Sequence, residues 1–265
     1  MSQHAAEAPL LVTIERGVAE IRFNRPTQMN ALDVATAEAF RDAIDRLLAG
    51  GGIRAILISG AGRAFMAGGD LTHFRDASDR AAAAKALIAP IHEGLLKMVE
   101  SGIPTIAAIQ GAAAGAGMSI AALTDLAIAA EDARFSMAYI RIAANPDCGG
   151  SWALTHLLGR RKAAELMLLS DTVHAQEALQ LGLVNRVVPL EQLHDAARDI
   201  ADRIASGSVA AMRRTRHLLD CAPGATLRDQ LSAELEGFVK GANSADFDEA
   251  LEAFFSKRTP VFRDV

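Results

Sequence analysis

Two glycine-rich junctions constrain this chain more than any other feature: Ala64-Phe65-Met66-Ala67-Gly68-Gly69-Asp70-Leu71 and Gln110-Gly111-Ala112-Ala113-Ala114-Gly115-Ala116-Gly117. Each follows a β-branched apolar run and precedes a helix-like stretch, so the chain turns there with main-chain amides uncovered. The first N–H groups of a helix have no acceptor within it, and the helix dipole favours negative charge beside them. Two such places can therefore aim N–H groups at one bound oxygen, which is an oxyanion hole made from main chain alone. The same glycines would also serve simple tight turns.

With 265 residues, 51% of them hydrophobic and 22% charged, the chain can bury a large core. A net charge of −5 with scattered lysines and arginines offers no basic face to nucleic acid or to an anionic membrane. The two cysteines, Cys148 and Cys221, are distant in sequence and suggest a reduced, cytoplasmic setting without a disulfide. Residues 1–9 are polar, include Glu7, and lack both the apolar core of a signal peptide and the arginines of a transit peptide. Residues 103–124 carry no charge and contain a Gly111-xxx-Gly115 spacing, but Pro104, Gln110 and Ser119 make them too weakly apolar to span a bilayer.

Residues 11–14 and 18–23 read as a hairpin, with Ala19, Ile21 and Phe23 facing inward and Glu20 and Arg22 outward. Asp33 is placed to cap a helix whose apolar stripe is Val34, Ala37, Phe40, Ile44, Leu47 and Leu48, and residues 55–59 form the next strand. Helix is predicted over 79–101, strand from 105, helix over 116–123 and strand over 126–129. Beyond Phe135 come helices at 150–158, 161–169 and 175–181, a strand at 184–188, and then helices only, including 225–239 and 245–256. Strands recurring with helical returns predict an α/β fold. The apolar-striped tail is expected to pack on the main domain or on a neighbouring subunit.

Several motifs resemble the enoyl-CoA hydratase/isomerase, or crotonase, superfamily. They are Asn24-Arg25-Pro26 with Asn30-Ala31-Leu32, the two junctions, Pro146-Asp147-Cys148-Gly149-Gly150, Gly182-Leu183-Val184 and Phe254-Phe255-Ser256-Lys257-Arg258, in the family's order along nearly the whole chain. The resemblance implies a crotonase fold of repeated ββα units over residues 1–206 and a C-terminal helical trimerisation region over 207–265. It also implies a homotrimer or dimer of trimers, and an acyl-CoA thioester whose oxygen is held by the N–H groups of Gly69 and Ala116. Ala67, Gly68, Asp70, Leu71 and Gly115 would line the same place. No separate cofactor and no metal is expected, because coenzyme A arrives as part of the substrate. Arg25 and Lys257 would meet its phosphates and Phe254 its adenine or pantetheine; solvated surface positions are the alternative for both charges.

Hydratases of the superfamily use two glutamates, and at the matching positions this chain has Ser119 and Tyr139. Asp147 instead matches the single acid/base of some isomerases, and the run through Cys148, Gly149, Gly150 and Trp152 resembles the ring-epoxide isomerases of phenylacetyl-CoA breakdown. One carboxylate suffices for a double-bond shift, removing a proton on one side of a dienolate and returning it on the other. Asp147 could also simply cap the helix starting near Gly149. Tyr139 could orient substrate or fill space, and Ser119 could be only a small helix residue. A dehalogenase subgroup pairs an equivalent aspartate with a histidine where this chain has Leu96, one turn from His92, which argues against halide displacement. His73, near the first junction, reads as an exposed loop residue, with a place in the pocket lining as the alternative. No metal spacing, phosphate loop or serine-nucleophile motif is found. The expected activity is acyl-CoA isomerisation. The alternatives are atypical hydration, decarboxylation or thioester hydrolysis, and a non-catalytic RNA- or acyl-CoA-binding protein.

Overall fold

The hairpin expected near the start forms as β1 (Leu10–Glu15) and β2 (Val18–Phe23) in a computed structural model that describes residues 8–263. The reading of residues 1–9 falls outside those described residues, apart from Ala8 and Pro9. Asp33 caps the next element as expected, its carboxylate accepting from the Thr36 N–H at 2.8 Å, and α1 (Val34–Gly50) buries Phe40, Ile44 and Leu47. The chain continues through β3 (Ala55–Gly60), α2 (Leu71–Arg75), α3 (Arg80–Glu100), β4 (Thr105–Ile109), β5 (Ala112–Ala114), α4 (Ala116–Leu123), β6 (Leu126–Ala130) and β7 (Arg134–Ser136). Then follow α5 (Gly150–Leu169), β8 (Val173–His174), α6 (Ala175–Leu181), β9 (Arg186–Val188), α7 (Leu193–Ala205), α8 (Val209–Cys221), α9 (Leu227–Ala242) and α10 (Ala245–Phe255).

The main sheet has six strands in the order β1-β2-β3-β4-β6-β9 and is parallel except for the β1–β2 hairpin. A parallel sheet needs cover on both faces, and the period-two alternation of side chains sorts its residues between two cores. Ile21, Ile56, Ile58 and Ala107 face the larger core with α1, α3, α4 and α5, whereas Val18, Leu57, Ile106 and Ile128 face α7. This second core overturns the reading of Glu20 as outward. Glu20 is buried on the α7 side, where its carboxylate accepts from Ser59 Oγ at 2.7 Å and meets His194 Nε2 at 3.2 Å.

A smaller sheet, β5-β7-β8, lies outside the main one. Its first strand, β5, sits inside the second junction, where no strand was expected. The two helices expected at 150–158 and 161–169 form as the two halves of α5, separated at Gly159, whose φ of 73° and ψ of 158° are not helical. The short α2 had no periodicity long enough to be read. Both cysteines are free, and among the described residues no helix is long and apolar enough to cross a membrane.

The tail is partly docked on the core. Arg216 of α8 is buried, donating to Asp125 Oδ1 at 2.7 Å and to the Val99 carbonyl at 2.9 Å. By contrast α9 leaves Leu227, Leu231, Leu235 and Phe238 exposed.

Candidate active site

Hydrogen bonds tie the two junctions to each other. Phe65 N–H donates to the Gln110 carbonyl at 2.8 Å, Met66 N–H to Ala112 at 3.0 Å, and Ala114 N–H back to Met66 at 2.9 Å. The Asn30 side chain braces the first junction from behind, its Nδ2 donating to the Ala61 and Ala64 carbonyls at 2.9 and 2.8 Å. Gln110 Nε2 does the same at Gly60, at 2.6 Å.

Glycine is required where the segments touch. Gly68 has a φ of +101°, and a Cβ there would sit 3.1 Å from the Ala114 carbonyl oxygen and 3.8 Å from the Ala116 nitrogen. At Gly117 a Cβ would collide with the Met66 carbonyl oxygen. The close approach brings the Gly68-Gly69 turn against the head of α4, which begins at Ala116 with Gly115 before it.

Most amides around the junctions are engaged: Ala67 N–H reaches Met29, Asp70 N–H reaches Leu32, and Gly115 N–H reaches Ser136. Those of Gly69 and Ala116 have no hydrogen-bond acceptor among the described residues, and neither do those of the adjoining Gly68 and Gly117. Ala116 is the first residue of α4, where the orphan N–H and the helix dipole act together.

Both residues line a cavity of about 510 Å³ with Ala67, Gly68, Leu71 and Gly115. Its apolar wall comes from Leu32, Phe74, Leu87, Ile88 and Ile91, and Asp147 is the one carboxylate among the described residues that line it.

Asp147 reaches the cavity on the turn before α5. That turn places Cys148 and Gly149 in the left-handed region, with φ of 49° and 74°. A non-glycine residue there needs outside support. His92 of α3 gives it, its Nε2 accepting from the Cys148 N–H at 3.0 Å. The capping alternative for Asp147 is not what forms, since Gly149 is the N-cap of α5 and no side chain caps it. The Asp147 carboxylate instead accepts from the Tyr139 hydroxyl.

Tyr139 lies on the short 3-10 turn Ala138–Ile142, lines the cavity, and also meets the fully buried Ser119 Oγ at 3.4 Å. Burial, with the Asp147 charge adding to it, pushes the Tyr139 phenol far above its ordinary range. Burial likewise raises the Cys148 thiol, so it stays protonated.

The remaining predicted positions are distributed differently. Asp70 caps α2 through Thr72, and these contacts, with Arg25 beside it, hold its carboxyl below the usual range. Arg25 donates to the Ala31 carbonyl and pairs with Asp33 and Asp70 at 3.1 and 3.2 Å. The structure thus places Arg25 as a brace of the first junction. Ser119 stands behind Tyr139. Phe254 is exposed near the end of α10, Lys257 follows it, and neither lines this cavity. His73 belongs to α2 rather than to a loop and meets the Ala83 carbonyl at 3.2 Å.

Phe74, Leu87, Ile88, Ile91, Arg80, Asn145 and Cys148 line the cavity without having been singled out for it. The spacing of Leu87, Ile91 and Leu95 along α3 was the available signal, but it marks a buried face without saying what that face meets.

Comparison with known proteins identifies the family and the fold. The family model described as enoyl-CoA hydratase/isomerase matches residues 13–265. The 1,2-epoxyphenylacetyl-CoA isomerase of Escherichia coli is 32% identical over 258 residues, covering 96% of this chain and 97% of that protein. A Rhodobacter capsulatus protein named probable enoyl-CoA hydratase is 35% identical over 250 residues, covering 94% and 95%. The crystal structure of an enoyl-CoA hydratase from Bacillus anthracis superposes with a TM-score of 0.91 at 30% identity, covering 97% of this chain and all of that one, 100%. The fold is therefore that of the crotonases, and the chain belongs to the enoyl-CoA hydratase/isomerase family.

Proposed function

We propose that this enzyme isomerises an unsaturated or ring-derived acyl-CoA, with Gly69 and Ala116 as oxyanion donors and Asp147 as the single acid/base. The thioester oxygen accepts the two N–H groups, and charge accumulates on it as an α-proton leaves. Donors fixed in advance stabilise that charge without reorganising, and the apolar wall of the cavity strengthens them. Asp147 takes the α-proton, the enolate extends over the neighbouring double bond, and the protonated Asp147 returns the proton at the γ-carbon. The double bond has moved from β,γ to α,β, and no atom has been gained or lost.

The observation that carries this reading is that Asp147 is the one carboxylate among the described residues lining the cavity. Hydration by two carboxylates needs one to activate water and another to deliver a proton, and Ser119 and Tyr139 supply neither. No cofactor enters the scheme beyond the coenzyme A of the substrate. In a homotrimer or dimer of trimers, the C-terminal end of a neighbouring subunit, Phe254 on α10 and Lys257 just after it, would meet that coenzyme A, with Arg25 nearer the first junction.

Incubation with 3-enoyl-CoA and trans-2-enoyl-CoA esters, followed by mass analysis, tests the assignment. The 3-enoyl ester should become a 2-enoyl ester of unchanged mass. Gain of a water mass by the 2-enoyl ester, with the 3-enoyl ester untouched, would make the enzyme a hydratase.

A further inference from the structure

Tyr139 occupies a place that neither the oxyanion hole nor the proton transfer accounts for. Its ring lies beside the head of α4, so that a Cβ at position 115 would sit 3.8 Å from Tyr139 Cζ. Its hydroxyl donates to Asp147 and meets Ser119 Oγ on the other side. The hydroxyl end of one side chain therefore lies next to both the head of α4 and the acid/base.

We propose that Tyr139 is a positioning residue, which fixes the Asp147 carboxylate relative to the Ala116 N–H and does not itself exchange a proton with the substrate. This rests on the assignment of Asp147 as acid/base. A tyrosine has two side-chain torsions, and here its hydroxyl is held between Asp147 and Ser119, so the carboxylate it binds has little freedom to swing. Small displacements of a catalytic group cost orders of magnitude in rate, and a fixed hydrogen bond prevents them.

The groups facing the phenol explain why it remains a donor. Burial is the largest cause, Asp147 and Cys148 add to it from the turn before α5, and the contact with Ser119 from α4 works the other way. Ionising it would set two anions side by side in an apolar cavity. The hydroxyl therefore stays protonated across the range in which Asp147 works.

Two measurements test the assignment together. Tyr139→Phe keeps the ring and removes the donor. Loss of a hydrogen bond to a charged group corresponds to roughly a 10- to 100-fold fall in kcat, with KM for the acyl-CoA within about twofold of wild type. Asp147→Asn should fall much further, and that separates the two claims. If Asp147→Asn is inactive while Tyr139→Phe turns over like wild type, Tyr139 only fills space and the positioning role fails alone. If Tyr139→Phe is as dead as Asp147→Asn, Tyr139 carries the proton and the role is again wrong. If Asp147→Asn is fully active, the reading of Asp147 fails and takes this one with it.

The second measurement needs no active variant. The chain has a single tyrosine, so the ultraviolet phenolate band reports on Tyr139 alone. In the folded wild type the band should stay absent where a free tyrosine ionises, near pH ~10, and it should emerge at lower pH in Asp147→Asn than in wild type. Ionisation near pH ~10 in both proteins would show that the phenol is not bound to the carboxylate.

Discussion

At Ala116 a single main-chain hydrogen is assigned to the chemistry, and the position permits its removal. Ala116 is the first residue of α4, where proline is tolerated because its missing N–H would have no helical acceptor. Ala116→Pro should therefore leave the fold intact by circular dichroism yet lower kcat by roughly 10²- to 10³-fold, the usual cost of one oxyanion donor. A variant with unaltered kcat would remove Ala116 from the hole. Asp147 shows how the same scale can be misjudged from sequence. A helix cap and a catalytic carboxylate look alike before a short helix, and the turn that decides between them depends on His92, far away in sequence but 3.0 Å from the Cys148 N–H.

Among elements, the decisive contact is that between the two junctions. Gly117 packs against the Met66 carbonyl with no room for a side chain, so Gly117→Ala should destabilise the protein by about 1–3 kcal/mol in urea unfolding. Turnover should fall with it, because the strain acts where the oxyanion donors are held. Unchanged stability and rate would show that the junctions tolerate separation.

The junctions themselves were legible, since glycine spacing after apolar strands is a local signal. So were the main strands and α1, with its Asp33 cap. Three things were not. β5 consists of three alanines within a glycine-rich run and pairs with β7 through backbone alone. The five-residue α2 is shorter than two helical turns. Glu20 obeyed the alternation of a one-sided strand, but the face it points to is covered by α7, which arrives more than 170 residues later, with His194 at 3.2 Å. Local pattern reveals local structure, whereas the apolar wall of the cavity, the α7 core and the His92 brace depend on distant segments meeting.

For the whole molecule, the tail of this chain is only half satisfied by its own core. Arg216 anchors α8, but the exposed Leu227, Leu231, Leu235 and Phe238 recur along one side of α9. We propose that this apolar stripe is where subunits associate, as large exposed apolar patches do at protein–protein interfaces. Leu235→Asp should shift the protein to a smaller species in sedimentation velocity while Arg216 keeps α8 docked, and an unshifted sedimentation coefficient would mean that α9 is not the interface. Such assembly would complete the coenzyme A side of the site, but the reaction itself is assigned to groups within one chain. The most direct test of that assignment is Asp147→Asn assayed in deuterated water with a 3-enoyl-CoA ester. The variant should bind the ester nearly as well as wild type while losing both isomerisation and deuterium uptake into the acyl chain. Undiminished turnover and exchange would contradict the single-carboxylate mechanism outright.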